Sequence, residues 1–315
     1  MVNYLSSYLV MACIYAMLAL SLNMQWGYTG LMNFGIGAFY MVGAYTSAIL
    51  CGLPSPEHLG GFHLPILMGM AGAACMAGLI AYLVAIPALK LRGGPFAIAL
   101  LAIQETFFLI IKNESWLTNG VWGIRDIPQP FFSLVNPRFY VFIYLIIAIV
   151  ALTLTYLSME RAVNSPWGRV LRAIREDETL TDMSGKDCFN FRRQSFVFSS
   201  MVAGLAGAVY VHYTGFVSPQ TFSPLMSTFL VWLMVMVGGT GNNRGVILGA
   251  FLVWGVWVGS DFITNLVPAS VATQIGFIRM FLVGIILTVT VLTRPQGLLT
   301  QKLSNIQLIE EEKHA

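Results

Sequence analysis

Charged side chains are concentrated in one short connection of this sequence, residues 161–193. It holds seven of the 17 basic residues and five of the 14 acidic ones. Ser165 and Pro166 within it are typical of a helix start, because serine caps free N–H groups and proline suits the first helical position. The pattern predicts a short helix over 165–178 that is too charged to cross a membrane.

That predicted helix is amphipathic. Val170, Leu171 and Ile174 fall on one face, and charged side chains three and four residues apart surround the other. One interpretation is a solvated helix at a membrane surface. The other is a docking element, because a helix with a small apolar ridge fits a groove on a soluble partner. The residues alone leave both interpretations open.

A second chemical feature is Glu105, an acid in the middle of the apolar run 95–112. A charge at the centre of a membrane span costs about 2.5–3.5 kcal/mol, so Glu105 should face the protein interior or a water-filled path. With Gln104, and more weakly with Asn23 and Asn33, it could line a translocation path for a zwitterion. Alternatively, these side chains hold helices together.

Motifs for catalysis or metal binding do not stand out. The spans contain no Ser/His/Asp set, no paired aspartates and no His-Glu-x-x-His motif. The four cysteines lack metal-type spacing, and the glycine-rich stretch 238–245 lacks the Gly-Lys-Ser/Thr ending of a phosphate loop. We therefore expect no catalytic residue, no metal and no cofactor in this chain. A polytopic membrane enzyme is the alternative from a different functional class.

The composition indicates what must position these residues. Of 315 residues, 57% are hydrophobic and 10% are charged, against about 25% charged in soluble domains. At about 20 residues per span, the chain has room for roughly eight to ten membrane helices. We predict an all-α polytopic membrane protein with a single transmembrane domain, 1–300, and a short tail, 301–315. A formal net charge of +3 is too small to indicate nucleic-acid binding.

Apolar runs bounded by Pro, Gly and charged residues predict about nine spans, each helical because lipid cannot pair free backbone groups. They lie near 4–24, 28–50, 65–87, 95–112, 139–160, 194–214, 224–240, 245–263 and 276–293. Lys and Arg favour cytoplasmic connections. Placing 161–193 in the cytoplasm puts thirteen of the 17 basic residues on that side, which predicts an outside N-terminus and a cytoplasmic C-terminus.

Several blocks of the sequence, in order along the chain, resemble branched-chain amino-acid permeases of ATP-binding cassette importers. These blocks include Ser165–Asp177, Phe196–Ser199, Ala203–Ala208, Gly215–Pro219 and Arg294–Leu298. Within that family the chain is more similar to the M-type than to the H-type subunit. The blocks that carry this distinction are Leu91–Ile98, Leu117–Gly120 and Ile127–Pro130.

The resemblance implies a type II importer permease in the bacterial inner membrane. It implies transport of branched-chain or other hydrophobic amino acids that a periplasmic binding protein delivers. Its expected partners are a second, H-type permease, two cytoplasmic ATP-binding subunits that hold ATP and Mg, and the lipid bilayer. Urea, short amides and aromatic or other carboxylates are alternative substrates, because similar permeases serve such importers.

The resemblance also assigns a role to the amphipathic helix. It would be the coupling element, with its apolar ridge in an ATP-binding subunit and its charged residues fixing the register through weak rim ion pairs. Trp167 and Ile174 are the expected anchors. The full set expected to contact the ATP-binding subunit is Trp167, Arg169, Arg172, Ile174, Arg175, Glu176 and Asp177.

Overall fold

The computed structural model describes residues 2–54, 59–132 and 137–264, and short pieces within 281–299. Every regular element in these ranges is a helix. One isolated antiparallel bridge, between Ile124 and Val217, is the sole strand-like contact recorded in the described part of the chain. The prediction of a helical membrane protein is confirmed at this level.

Five apolar helices are long enough to cross a bilayer. They are α1 (Val2–Asn23, continued by a π-helical turn, Met24–Tyr28), α3 (Ile66–Ala88), α4 (Gly94–Asn113), α6 (Pro137–Asn164) and α9 (Cys188–Thr214). Shorter apolar helices are α2 (Ile36–Cys51) and α10 (Leu230–Gly238), which follows a second π-helical turn, Leu225–Phe229. The 22-residue helix α11 covers Asn243–Thr264.

The connections carry three short helices: α5 (Ser115–Thr118), α7 (Pro166–Glu176) and α8 (Glu178–Met183). Single 3₁₀ turns occupy Gly120–Trp122 and Pro219–Phe222. The predicted count of nine spans is not confirmed. Among the described residues, five helices meet both the length and the hydropathy requirement for a span, two apolar helices are shorter, and most of the predicted span 276–293 lies outside the described residues.

Two predicted spans differ from the structure in their bounds. In the span predicted at 28–50, the α-helix begins only at Ile36. Residues 30–35 before it are non-helical, and Gly30 has a φ of 78°. The span predicted at 224–240 divides into a π-helical turn and α10, which ends at Gly238 because Gly239 has a φ of 103°. Glycine tolerates these left-handed conformations, so an apolar run can stop being a helix there.

Helix α9 lies at the centre of the bundle and packs on α1, α2 and α3. Its approach to α2 depends on Gly43, where an added Cβ would overlap the backbone of Gly204. Small residues of this kind let membrane helices approach closely. Helices α1 and α9 are mostly buried, whereas α4 and α6 expose most of their surface.

Candidate functional site

The short helix α7 forms as the sequence predicts. Ser165 adopts an extended backbone, and its Oγ accepts a hydrogen bond from the Gly168 N–H at 3.4 Å. Pro166 occupies the first helical position. The helix ends at Glu176 rather than 178, because Asp177 is extended and its carboxylate accepts from the Leu180 N–H at 2.9 Å, which starts α8.

The apolar face of α7 packs on its own chain. Leu171 is fully buried in a small cluster with Met24, Met159 and Val163, and Ile174 is only 5% exposed. Ile174 therefore has almost no free surface in this conformation, and the expected insertion of the apolar ridge into a partner stays a prediction. Within this chain, the ridge fixes α7 to the ends of α1 and α6.

Trp167, the other expected anchor, is also held by this chain. Its indole N–H donates to Gln194 Oε1 at 2.8 Å, and its ring lies edge-on to Phe198 with centroids 6.3 Å apart. Both partners are on α9. Trp167 therefore ties α7 to the central helix while keeping part of its surface exposed.

Two arginines of α7 bond to backbone carbonyls. Arg172 donates to the Val163 carbonyl at 3.0 Å, and Arg175 donates to the Gly27 carbonyl in the π-helical turn below α1. Hydrogen bonds from a charged donor stabilise by about 1.5–3 kcal/mol. These two residues orient α7 on the bundle, so their contacts lie within this chain.

The outward face of α7 is formed by Arg169, Ala173 and Glu176, which are exposed and spaced by four and three residues. On the adjoining α8, Leu180 is 66% exposed and Met183 is 81% exposed. We call these five residues the outward patch. Sequence reasoning missed its apolar part, although two apolar residues three apart in a polar connection were the available signal.

The same connection is tied to the loop between α3 and α4. Glu178 accepts from Arg192 at 3.0 Å and from Arg92 at 3.4 Å. The Arg192 side chain is nearly buried, whereas the Arg92 side chain is largely exposed. Glu178 thus joins α8 to α9 and to the α3–α4 loop.

Beneath α7, Asn23 lies in a buried hydrogen-bond network. Its Nδ2 donates to Asn243 Oδ1 and its Oδ1 accepts from the Gly241 N–H, both at 2.9 Å. Asn243 in turn donates to Glu160 Oε2 at 2.9 Å. Asn23 therefore connects α1 with α6 and α11, and the path role expected of it stays a prediction.

A seam of hydroxyl groups links the π-helical turn to α9. Gln25 Nε2 donates to Ser199 Oγ at 2.5 Å, and Thr29 Oγ1 shares a hydrogen bond with Ser195 Oγ at 2.7 Å. Ser21 donates to the Ser199 carbonyl at 2.7 Å. The seam was missed in the sequence, where only the four-residue spacing of the two serines on α9 could have indicated it.

Asn33 lies in the break between α1 and α2. Its Oδ1 accepts from the Gly35 N–H at 2.7 Å, and its carbonyl accepts from the Trp232 indole at 3.1 Å. Its Nδ2 is buried and finds no hydrogen-bond partner among the described residues. Trp232 stacks on Phe34 at 4.2 Å and contacts Trp26 at 4.3 Å between ring centroids. Aromatic side chains therefore enclose the break.

Gln104 joins α4 to the second π-helical turn. Its Nε2 donates to Ser227 Oγ at 3.2 Å, and its Oε1 accepts from Thr228 Oγ1 at 2.6 Å. Neighbouring Glu105 is partly exposed, and no hydrogen bond or ion pair to it is recorded within the described ranges. Of the four path residues predicted from sequence, Asn23, Asn33 and Gln104 thus have separate partners, and no hydrogen bond recorded within the described ranges joins the four.

Comparison with known proteins adds the class of molecule. The family model "Branched-chain amino acid transport system / permease component" matches residues 4–291, so the chain belongs to this family of multi-pass membrane permeases. The resemblance stated from the sequence is confirmed.

Individual relatives show which members of this family the chain is similar to. The branched-chain amino acid permease protein LivM of Escherichia coli is 29% identical over 94% of this chain and 70% of its own length. A probable LivM of Methanocaldococcus jannaschii is 27% identical over 96% of this chain and 94% of its own. The permease protein LivH of Escherichia coli is 23% identical over 90% and 92%. No solved structure matches the chain.

Proposed function

We propose that this chain is the M-type permease subunit of an ATP-binding cassette importer for branched-chain amino acids. It would pair with an H-type permease, receive substrate from a periplasmic binding protein and be driven by two separate ATP-binding subunits. The observation that carries the proposal is the similarity to LivM permeases over at least 94% of this chain. The contact of α7 with the π-helical turn supports it by joining α7 directly to the break before α2.

The outward patch is the proposed contact with the ATP-binding subunit. Leu180 and Met183 are apolar anchors of the kind that fill pockets at interface centres, and Arg169 and Glu176 set the register at the rim. Because Arg175 holds the Gly27 carbonyl, a displacement of α7 pulls on the turn between α1 and the break. The docking helix thereby transmits motion to the membrane interior.

The proposed translocation path passes Glu105, whose carboxylate suits the ammonium group of an amino acid. Asn33 is the second candidate, because its free Nδ2 could donate to a substrate or water. Gln104 and Asn23 would support the path indirectly, through the hydrogen bonds that hold neighbouring helices together. The proposed orientation puts α7 and the C-terminus in the cytoplasm and the N-terminus outside, following the basic residues.

Uptake into proteoliposomes that carry the complete importer tests this function. Labelled leucine, isoleucine and valine should accumulate only with binding protein and internal ATP, and leucine should stimulate ATP hydrolysis. Stimulation by urea or a short amide, with no response to leucine, would instead establish the alternative substrates. A complex without the second permease is the matched control and should not transport.

The role of the outward patch is tested by purifying variants of the same complex. Met183→Glu should detach the ATP-binding subunits during purification, because it places a charge at an apolar contact. Lys186→Glu alters charge in the same connection outside the patch and should leave co-purification intact. Normal co-purification of the Met183 variant would remove the patch from the interface.

A further inference from the structure

A cavity of about 490 Å³ lies at the end of the bundle opposite α7. Ile66, Leu67 and Met70 line it from the first turns of α3, and Tyr144 and Ile147 line it from the first half of α6. Because α7 follows the last residue of α6, the cavity and α7 lie near opposite ends of that helix. Its volume lies within the range of about 300–1,000 Å³ typical of small-ligand sites.

The polar atoms on the cavity floor are already paired. Tyr144 Oη donates to the Val209 carbonyl at 2.5 Å. His212 bonds through Nε2 to Ser47 Oγ at 2.9 Å and through Nδ1 to the Pro128 carbonyl at 2.8 Å. The other lining side chains are apolar. Among the described lining residues, no polar side-chain atom is therefore left to recognise a polar ligand.

The cavity is continuous with apolar surface on both of its walls. Leu67 is 79% exposed on α3, and Ile146, Ile149 and Val150 are exposed on α6. Both helices have the length and composition of membrane spans. Apolar surface of a membrane span that no other protein covers faces hydrocarbon, so a lipid chain would have direct access to this cavity.

Phe131 supplies an independent observation. It lines the cavity, its ring is 56% exposed, and its backbone has a φ of 62°. A left-handed conformation strains a residue that carries a side chain, and strain of this kind clusters at binding sites. Nearby Phe132, Tyr140 and Tyr144 form edge-on and tilted ring contacts. Of these aromatic residues, Phe131 and Phe132 are exposed and Tyr140 and Tyr144 are buried, so the two phenylalanines are the rings available to an acyl chain.

We propose that this cavity binds one acyl chain of a phospholipid from the leaflet opposite α7. The chain would pack between α3 and α6 on the floor formed by α9, with Phe131 closing over it. This proposal depends on the membrane placement of α3 and α6 and is independent of the transported substrate. Its failure would therefore leave the proposed function untouched.

The test uses the complete importer in nanodiscs that contain phosphatidylethanolamine with a photoreactive diazirine in one acyl chain. After illumination, mass spectrometry should locate label on the peptides that contain Met70, Phe131 and Ile147. Ile147→Trp fills the gap and should lower this labelling about tenfold, because acyl-chain binding depends on buried apolar area. Ile146→Trp is the matched control on the exposed face and should retain it.

Both variants must assemble and transport leucine as the unsubstituted complex does; if Ile147→Trp does not assemble, Leu67→Trp replaces it. Equal labelling of the Ile146 and Ile147 variants would overturn the proposal. Labelling that appears only when the second permease is omitted would also overturn it, because a partner would then cover the cavity. Competition by free leucine would identify a substrate site instead.

Discussion

The two ends of α6 differ in how they are held. At the end next to α7, Arg172 and Arg175 donate hydrogen bonds to backbone carbonyls. Near the other end of α6, an apolar cavity separates it from α3. The first arrangement is directional, because each guanidinium must keep its carbonyl partner. The second depends only on apolar area, which has no preferred direction. The difference means that a movement of α7 would have to carry specific partners with it, whereas the cavity imposes no such directional requirement.

The largest effect should come from breaking the buried side of α7. Leu171→Asp places an unpaired charge in the cluster with Met24 and Met159, and we expect a loss of about 3–5 kcal/mol of stability. Ala173→Asp on the exposed side should change stability little. Thermal unfolding followed by fluorescence-detected size exclusion compares the two variants. Equal stability would show that α7 is not packed on the bundle.

The next effect concerns the link between α4 and the second π-helical turn. Gln104→Leu removes the acceptor of Thr228 and should lower stability by about 1–3 kcal/mol. Glu105→Gln should keep stability but reduce leucine uptake, because it removes the charge proposed for the path. Parallel unfolding and uptake measurements separate these roles. A Glu105 variant that transports normally would exclude its carboxylate from the path.

The hydrogen bond from Arg175 to the π-helical turn should have a smaller effect, and on transport rather than on stability. Arg175→Ala loses the hydrogen bond to the Gly27 carbonyl, and we expect about a tenfold fall in coupled uptake, equivalent to about 1.4 kcal/mol. Basal ATP hydrolysis should remain. Lys186→Ala, in the same connection, is the control and should transport normally. An equal fall in uptake for both variants would argue against a specific role for the hydrogen bond between Arg175 and Gly27.

The smallest effect should appear at Glu178. Arg92→Ala removes an exposed ion pair and should cost no more than about 1 kcal/mol, with the difference shrinking in high salt. Arg192→Ala removes the nearly buried partner and should cost more. Unfolding at two salt concentrations measures both. A larger loss for Arg92 would mean that the loop contact carries more of the connection than its exposure indicates.

Local sequence was sufficient for some features. The start of α7 follows from Ser165 and Pro166, whose preferences act within one turn, and long apolar runs predict the five long helices. Which side of α7 faces a partner could not be predicted. The same ridge of Leu171 and Ile174 fits either a partner's groove or the chain's own bundle, and only tertiary packing decides between them.

The helix break before α2 was also beyond local reasoning. Residues 28–50 are apolar enough to read as one span, yet the break is supported by side chains distant in sequence, such as Ser199 and Trp232. The roles of Asn23 and Gln104 depend in the same way on partners more than 100 residues away. Such long-range hydrogen bonds leave no periodic signal in the sequence.

The short length of α2 has a consequence for how the membrane interior is solvated. Its 16 residues rise about 24 Å, less than the roughly 30 Å of hydrocarbon, so a crossing at α2 would have to include non-helical residues as well. Lipid offers non-helical backbone no hydrogen-bond partner. The Gly30 and Leu31 N–H groups instead bond to carbonyls of the preceding turn, and the Gly35 N–H bonds to Asn33. The protein thus takes the place of water for its own unwound backbone.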